Sequence, residues 1–385
     1  VTADKRKILF VDDEKDILEG LRAALRSQRH VWDITFCCGG KAAFEALAET
    51  SFEVVLTDMR MPGVDGPAVL EKARALQPRA ARIVLSGQTD RDAALKTAFA
   101  AHQFLAKPCD VKTLRTVIER TCRLSRWAPD QALRVRASNV GALPLSLAGQ
   151  AASRRLIAQP TTSAAEAARL VESDPSLSSK LLQVVNSALF GLPRRVTKVQ
   201  EAVTLIGTMM LKDLLAALNE TTGNVPLPVT DRAVEDVQQH SLHTALMAKA
   251  IAESFGDDGH DAFAAGLLHD VGLLFVPAEA AADHAALGAY LLGLWGLPEP
   301  VVEAVAHHHD PSVSAATPDG PPDLVQILAC AESLAQALFP LSELDVVAPK
   351  AEAAFLGLTE AQKASFKDTA RRTYEQAKEH RGSLV

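Results

Sequence analysis

At 385 residues the chain is too long for one ordinary hydrophobic core, so two or three domains are expected. A hydrophobic content of 48% with 23% charged residues excludes a disordered chain, and no apolar run is long enough to span a bilayer. A net charge of −7 gives no support for general nucleic-acid binding, and five cysteines at 37, 38, 109, 122 and 330 form neither a metal-ribbon nor a disulfide spacing.

The first 125 residues alternate short β-branched runs with amphipathic stretches. KILFVDD, DITFCC, EVVLTD, RIVLSG and HQFLAKP read as strands, with helices starting near Glu14, Lys41, Gly66, Asp90 and Asp110. Five βα repeats imply an α/β doubly wound parallel sheet, whose functional groups collect at the carboxyl ends of the strands. From Trp127 the texture changes to APDQALRVRASNVGALP, read as a linker into a new domain. The arginines between Arg115 and Arg136 fit a solvated helix end better than a phosphate-binding stripe. Beyond this linker the chain is rich in Ala and Leu with a helical period. DPSLSSKLLQVVNSALFG has Ser173 or Asp174 as a cap, Pro175 in the first turn and Gly191 as a stop. HSLHTALMAKAIAESFG, HDAFAAGLLHDVGLLF, HAALGAYLLGLWG and PEPVVEAVAHHHD continue the helices. Residues 311–322 read as a loop, and Phe366, Ala370 and Tyr374 make a terminal helical stripe.

The strand ends carry the chemistry of the first domain. Strand one finishes with Asp12 and Asp13, strand three with Asp58 and strand four with Ser86, while Lys107-Pro108 follows strand five. If strands one and three are neighbours, three carboxylates converge and repel unless a cation sits among them; hard oxygen donors suit Mg²⁺. A carboxylate beside Mg²⁺ can attack a phosphoryl group, with Lys107 and Ser86 neutralising the transferred oxygens.

The segments FVDDE, LTDMRMPGVDG, IVLSG and FLAKP, in this order, resemble the receiver domain of two-component response regulators across residues 6 to about 124. The resemblance implies a flavodoxin-like five-stranded sheet of order 2-1-3-4-5, with Asp58 as phosphoacceptor. It implies Mg²⁺ on Asp12, Asp13, Asp58 and the Arg60 carbonyl, phosphoryl contacts from Ser86 and Lys107, and a cis peptide bond before Pro108. Phe104 would be the switch aromatic, a position that a core side chain explains equally well.

In the helical half, nine of the eleven histidines lie from His240 onward. Helices that bundle can bring one or two ligands each to a shared site, and imidazoles with carboxylates suit transition metals better than Mg²⁺. SDPSLSSKLLQVVNSALFG, EAVTLIG, HSL, AGLLHDVG and HAALGAYLLGLWGLPEPVVEAVAHHH resemble the HDOD family, a branch of the HD phosphohydrolase superfamily, over roughly residues 138–335. By position His240, His269, Asp270, His284 and one of His307 or His308 match HD metal ligands, with Glu332 near the place of a later aspartate. Leu273 stands where active cyclic-dinucleotide hydrolases have lysine, and their GYP element is missing. The competing reading has His269 and Asp270 bonded to neighbouring helix ends, and in a run of three helical histidines one must face away.

The expected organisation is a receiver at 1–125, a linker at 126–137, an all-α HDOD domain at 138–335 and a helical extension packed on it at 336–385. The expected function is a cytoplasmic response regulator, phosphorylated by a histidine kinase or phosphotransfer protein, whose non-enzymatic output domain binds a signalling protein or nucleotide. The alternative is a receiver-controlled, metal-dependent phosphodiesterase. Neither membrane nor direct nucleic-acid contact is expected, and a homodimer fits both domains.

Overall fold

The computed structural model describes residues 5–87, 97, 99–186, 192, 195–222, 227–314 and 321–338, with short stretches between 359 and 372. The chain divides into two compact units. One comprises Val1–Ala142, Gln183–Arg195 and Gly293–Gly296; the other comprises Leu143–Leu182, Val196–Leu292 and Leu297–Val385.

In the first unit, β1 (Arg6–Asp12), β2 (Trp32–Cys38), β3 (Val54–Asp58), β4 (Ala81–Ser86) and β5 (Gln103–Ala106) form one parallel sheet of order β2-β1-β3-β4-β5. This is the expected order. Ile8, Leu9, Phe10, Val11, Val54, Val55 and Leu56 are fully buried, as the inner strands of a sheet covered on both faces must be. The described helices are α1 (Lys15–Ala24), α2 (Gly40–Glu49), α3 (Gly66–Leu76) and α4 (Val111–Arg123). Asp65 and Asp110 cap the last two, accepting from the Ala68 and Thr113 amides at 3.0 and 2.9 Å. The helix expected from Asp90 lies outside the described residues.

The stretch read as a linker holds a further helix, α5 (Gln131–Ser138), started by the Asp130 carboxylate, which accepts from the Ala132 and Leu133 amides at 2.5 and 3.2 Å. A capping aspartate after Pro129 is a helix-start signal that outweighs the weak periodicity of QALRVRAS.

Ten α-helices come after it among the described residues: α6 (Leu147–Ala158), α7 (Ala164–Glu172), α8 (Pro175–Asn186), α9 (Val199–Ile206), α10 (Thr208–Thr222), α11 (Asp231–Ser254), α12 (His260–Leu268), α13 (His284–Leu294), α14 (Glu299–His307) and α15 (Leu324–Leu338). Asp174, not Ser173, caps α8, accepting from the Ser176 and Leu177 amides at 2.8 and 3.0 Å; Gly191 lies outside the described residues. The core of the second unit forms where α11 packs on α12 and α15, with Met247, Ala248, Ile251, Ala262, Ile327 and Ala331 buried together. All five cysteines are free thiols, and among the described residues no helix is long and apolar enough to cross a membrane. The extension expected at 336–385 falls largely outside the described residues, as does the stripe of Phe366, Ala370 and Tyr374.

Candidate functional site

Because β1 and β3 are neighbours with Val11 opposite Thr57, Asp12 and Asp58 leave the sheet side by side. Lys107, following β5, places its ammonium between them: Nζ lies 2.7 Å from Asp12 Oδ2 and also contacts Asp58 Oδ1. The Lys107–Pro108 peptide bond is cis. Asp58 Oδ2 accepts from the Arg60 amide at 3.2 Å, and Asp12 Oδ1 accepts from the Glu14 amide at 2.9 Å. Burial and the Asp12 charge push the Asp58 carboxyl up despite its contact with Lys107. Burial opposes charging Lys107, but Asp12 and Asp58 outweigh it and raise the ammonium's pKa.

Ser86 is fully buried at the end of β4, and Phe104 is buried within β5. Asp13 is half-buried beside Asp12 and, with Arg60, lines a groove of about 760 Å³ that runs past Met59, Met61 and Pro62. Among the described residues Asp12, Asp13 and Asp58 do not draw together as tightly as the histidine and carboxylate donors of the second unit. The ammonium of Lys107 already spans two of the three. The donors are all oxygens, which fits a small hard cation.

The second unit gathers a different set. Two glycines bracket the His269-Asp270 pair, and both are required by close backbone approach. A Cβ on Gly266 would lie 2.6 Å from the Ala245 Cα, so only glycine lets α12 close on α11. A Cβ on Gly272 would lie 2.0 Å from the His284 carbonyl oxygen, so the start of α13 presses against the turn after α12. His240 on α11, His269 and Asp270 after α12, His284 opening α13 and Glu332 on α15 thereby face one another.

Their donor atoms form two groups, each within a span of 4.8 Å: His240, His269, Asp270 and Glu332 in one, His284, His308 and His309 in the other. In the first, Glu332 Oε2 is 2.8 Å from both His240 Nε2 and His269 Nε2, and Asp270 Oδ2 is 3.1 Å from His269 Nε2. In the second, His284 Nε2 is 3.2 Å from His308 Nε2 and 3.1 Å from His309 Nε2. Asp270 joins them, because its other oxygen, Oδ1, is 3.1 Å from His284 Nε2 and 3.7 Å from His308 Nε2. None of His240, His269, Asp270, His284, His308 and Glu332 is more than 2% exposed.

Two features fit this set to metal ions. The Nδ1 atoms of His269, His284 and His308 donate to the carbonyls of Gly266, Ala281 and Val305 at 2.8, 2.5 and 2.7 Å, so each Nε2 faces inward as the nitrogen open to a proton or a metal ion. The inner contacts are short but poorly aligned: both Asp270 oxygens, His269 Nε2 and Glu332 Oε1 have no hydrogen bond of good geometry. Orphaned atoms at such depth are costly unless something else binds them. The carboxylates overcome burial and raise the pKa values of His240 and His269, the latter far above the ordinary range. Although burial alone would raise them, the adjacent imidazoles hold Asp270 and Glu332 well below theirs. Burial, aided by His308 and His284, pushes His309 down to about 3. Bonding of Asp270 and His269 to helix ends therefore accounts for only one nitrogen of the pair.

His307 joins neither group, and His309 takes part beside His308. The helix stops at His307, so the next two imidazoles leave a turn rather than a helix, their ring centres 3.9 Å apart with the planes tilted by 44°. Asp310-Pro311 just beyond was the signal, since a residue preceding proline disfavours helical backbone.

Comparison with known proteins matches residues 8–119 to the response regulator receiver domain, 144–281 to the HDOD domain and 237–337 to the HD domain. An uncharacterized protein of Treponema pallidum is 29% identical over 185 residues, covering 41% of this chain and 36% of that protein. Ribonuclease Y of Thermus thermophilus is 42% identical over 77 residues, covering 20% and 13%. The crystal structure of the MmoQ response regulator from Methylococcus capsulatus is similar at a TM-score of 0.45 with 23% identity, over 59% of this chain and 98% of that one. The chain thus spans about a third or less of these two curated relatives. The sheet order and the matched models show a receiver domain of the response-regulator kind, followed by a domain that matches both the HDOD and the HD models.

Proposed function

We propose that the chain is a cytoplasmic two-component response regulator in which Asp58 takes a phosphoryl group from a histidine kinase or phosphotransfer protein and thereby switches the HDOD domain. An Asp58 carboxylate oxygen attacks phosphorus as the donor's P–N bond breaks, and the departing imidazole keeps the electron pair and takes up a proton. Mg²⁺ held by Asp12, Asp13, Asp58 and the Arg60 carbonyl supplies charge neutralisation when bound. Lys107 orients Asp58 beforehand and then pairs with the phosphoryl oxygens, while the Ser86 hydroxyl at the end of β4 donates to one of them. The carrying observation is the contact of one ammonium with acids from two adjacent strands. Treatment with acetyl phosphate and Mg²⁺ is expected to add one phosphoryl mass to the wild type and none to Asp58→Ala; equal labelling of both would remove the assignment.

The output reading is a domain that holds metal through His240, His269, Asp270, Glu332, His284, His308 and His309 and binds a protein or nucleotide partner. A second reading, metal-dependent hydrolysis of a phosphodiester, is favoured by the gathering of six further donor residues about the Asp270 carboxylate. Leu273 weighs against it, since it brings no positive charge to a phosphate. Turnover of bis-p-nitrophenyl phosphate by the metal-loaded full chain, lost in Asp270→Ala, would select the enzyme. Metal binding without turnover would select the binding module. We take the receiver as residues 1–125 and the HDOD domain as 138–335, joined by a linker at 126–137 that is largely the helix α5.

A further inference from the structure

The amino ends of β4 and β5 carry a second polar cluster that phosphoryl transfer does not use. Arg82, the second residue of β4, is only 1% exposed. Its Nε donates to the Ala100 carbonyl at 2.8 Å, and its Nη2 donates to the Ser138 carbonyl at 2.6 Å. His102, just before β5, accepts the main-chain N–H of Arg82 at Nδ1, 3.0 Å away. Its Nε2 is therefore the protonated nitrogen, and it donates to the same Ser138 carbonyl at 3.0 Å. Arg82 Nη2 and His102 Nε2 stand 2.9 Å apart because they share that acceptor.

Ser138 is the last residue of α5, and its carbonyl is one of those a helix cannot satisfy internally. A guanidinium there also meets the negative pole of the helix. Three residues further on, a Cβ on Gly141 would lie 2.7 Å from the Phe99 carbonyl oxygen, so the chain beyond α5 lies flat against the loop before β5. The same two strands end at the phosphoryl site: β4 runs from Ala81 to Ser86, and β5 leads from His102 to Lys107. A displacement that draws Ser86 or Lys107 toward a phosphoryl group acts on strands whose other ends grip α5. Close-packed strands of this length move as units rather than stretch.

We propose that Arg82 and His102 form a latch that holds the C-terminus of α5 on the receiver and releases it when Asp58 is phosphorylated. The inference rests on Asp58 as the phosphoacceptor. Its test is amide hydrogen exchange over residues 131–142 in the full chain, with and without acetyl phosphate and Mg²⁺, with intact mass read on the same samples. Wild type is expected to exchange at least tenfold faster in this segment once labelled. Arg82→Met is expected to exchange that fast without acetyl phosphate and to incorporate label normally. His102→Gln, which retains an acceptor and a donor, is expected to stay within about threefold of wild type. Should Arg82→Met not fold, Arg82→Lys keeps the charge, loses the fork and is expected to fall between. Label on the wild type with unchanged or slower exchange would overturn the latch alone. Absence of label would overturn the phosphoacceptor reading and the release with it.

Discussion

The receiver corner and the helical donor set both bring carboxylates together, and they handle the charge differently. At the strand ends the chain supplies its own cation: Lys107 touches both Asp12 and Asp58, and Asp58 remains partly accessible. In the helices, Asp270 and Glu332 are fully buried and, among the described residues, form ion pairs with imidazoles and with no lysine or arginine, while the Thr244 hydroxyl donates to Glu332 Oε2 at 3.4 Å. A site with a built-in ammonium can wait in water for a phosphoryl group. A buried site of two carboxylates and five imidazoles needs either protons on its histidines or metal in its centre, and protons and metal compete for the same Nε2 lone pairs.

That contrast can be broken most forcefully at Asp270, whose two oxygens face the two donor groups. Asp270→Ala is expected to weaken metal binding by at least about 100-fold at both positions, measured by competition with a chelator of known affinity. Loss at one position only would show that Asp270 does not link them. The next largest effect concerns the frame. Gly272→Ala drives a Cβ into the His284 carbonyl and should destabilise the helical unit by about 3 kcal/mol, read by denaturant unfolding. An unchanged midpoint would mean that the contact relaxes freely.

The histidine run sharpens the comparison further. His309→Ala is expected to lower affinity at the second position by about tenfold or more, while His307→Ala leaves it within about twofold. The smallest effect is expected in the receiver. Burial and Asp12 raise the Asp58 carboxyl, so the folded state binds its proton more tightly than the unfolded state does. Its charge therefore costs stability, and the cost grows as pH rises from the unfolded carboxylate range through the folded value. Asp58→Asn should raise the receiver's melting temperature by about 2 °C at pH 7, and the difference should fade near pH 3. A lower melting temperature for the variant at pH 7 would mean that pairing with Lys107 outweighs burial.

Much of this is legible in the residue order because parallel sheets expose their strand ends at one edge. Given five strands in one sheet, Asp12, Asp58, Ser86 and Lys107 have to lie near one another. The helical site is less legible. Its donor residues come from α11, α13, α15 and the turns after α12 and α14, and their convergence depends on close approaches at Gly266 and Gly272, which no local pattern reveals. His309 escapes because three adjacent histidines read as helical, whereas the helix ends one residue into the run. The short helix α5 escapes because eight residues carry too little periodicity, and its buried carbonyl clamp joins positions 56 and 36 residues apart in sequence.

The most direct test of the central claim is elemental analysis of the purified full chain after reconstitution with manganese, iron or zinc, set beside Asp270→Ala. The two donor groups predict up to two transition-metal ions per wild-type chain, and loss of both in the variant, with a lower melting temperature for the stripped protein. A wild-type chain that takes up no metal and unfolds at the same temperature with or without it would contradict the account.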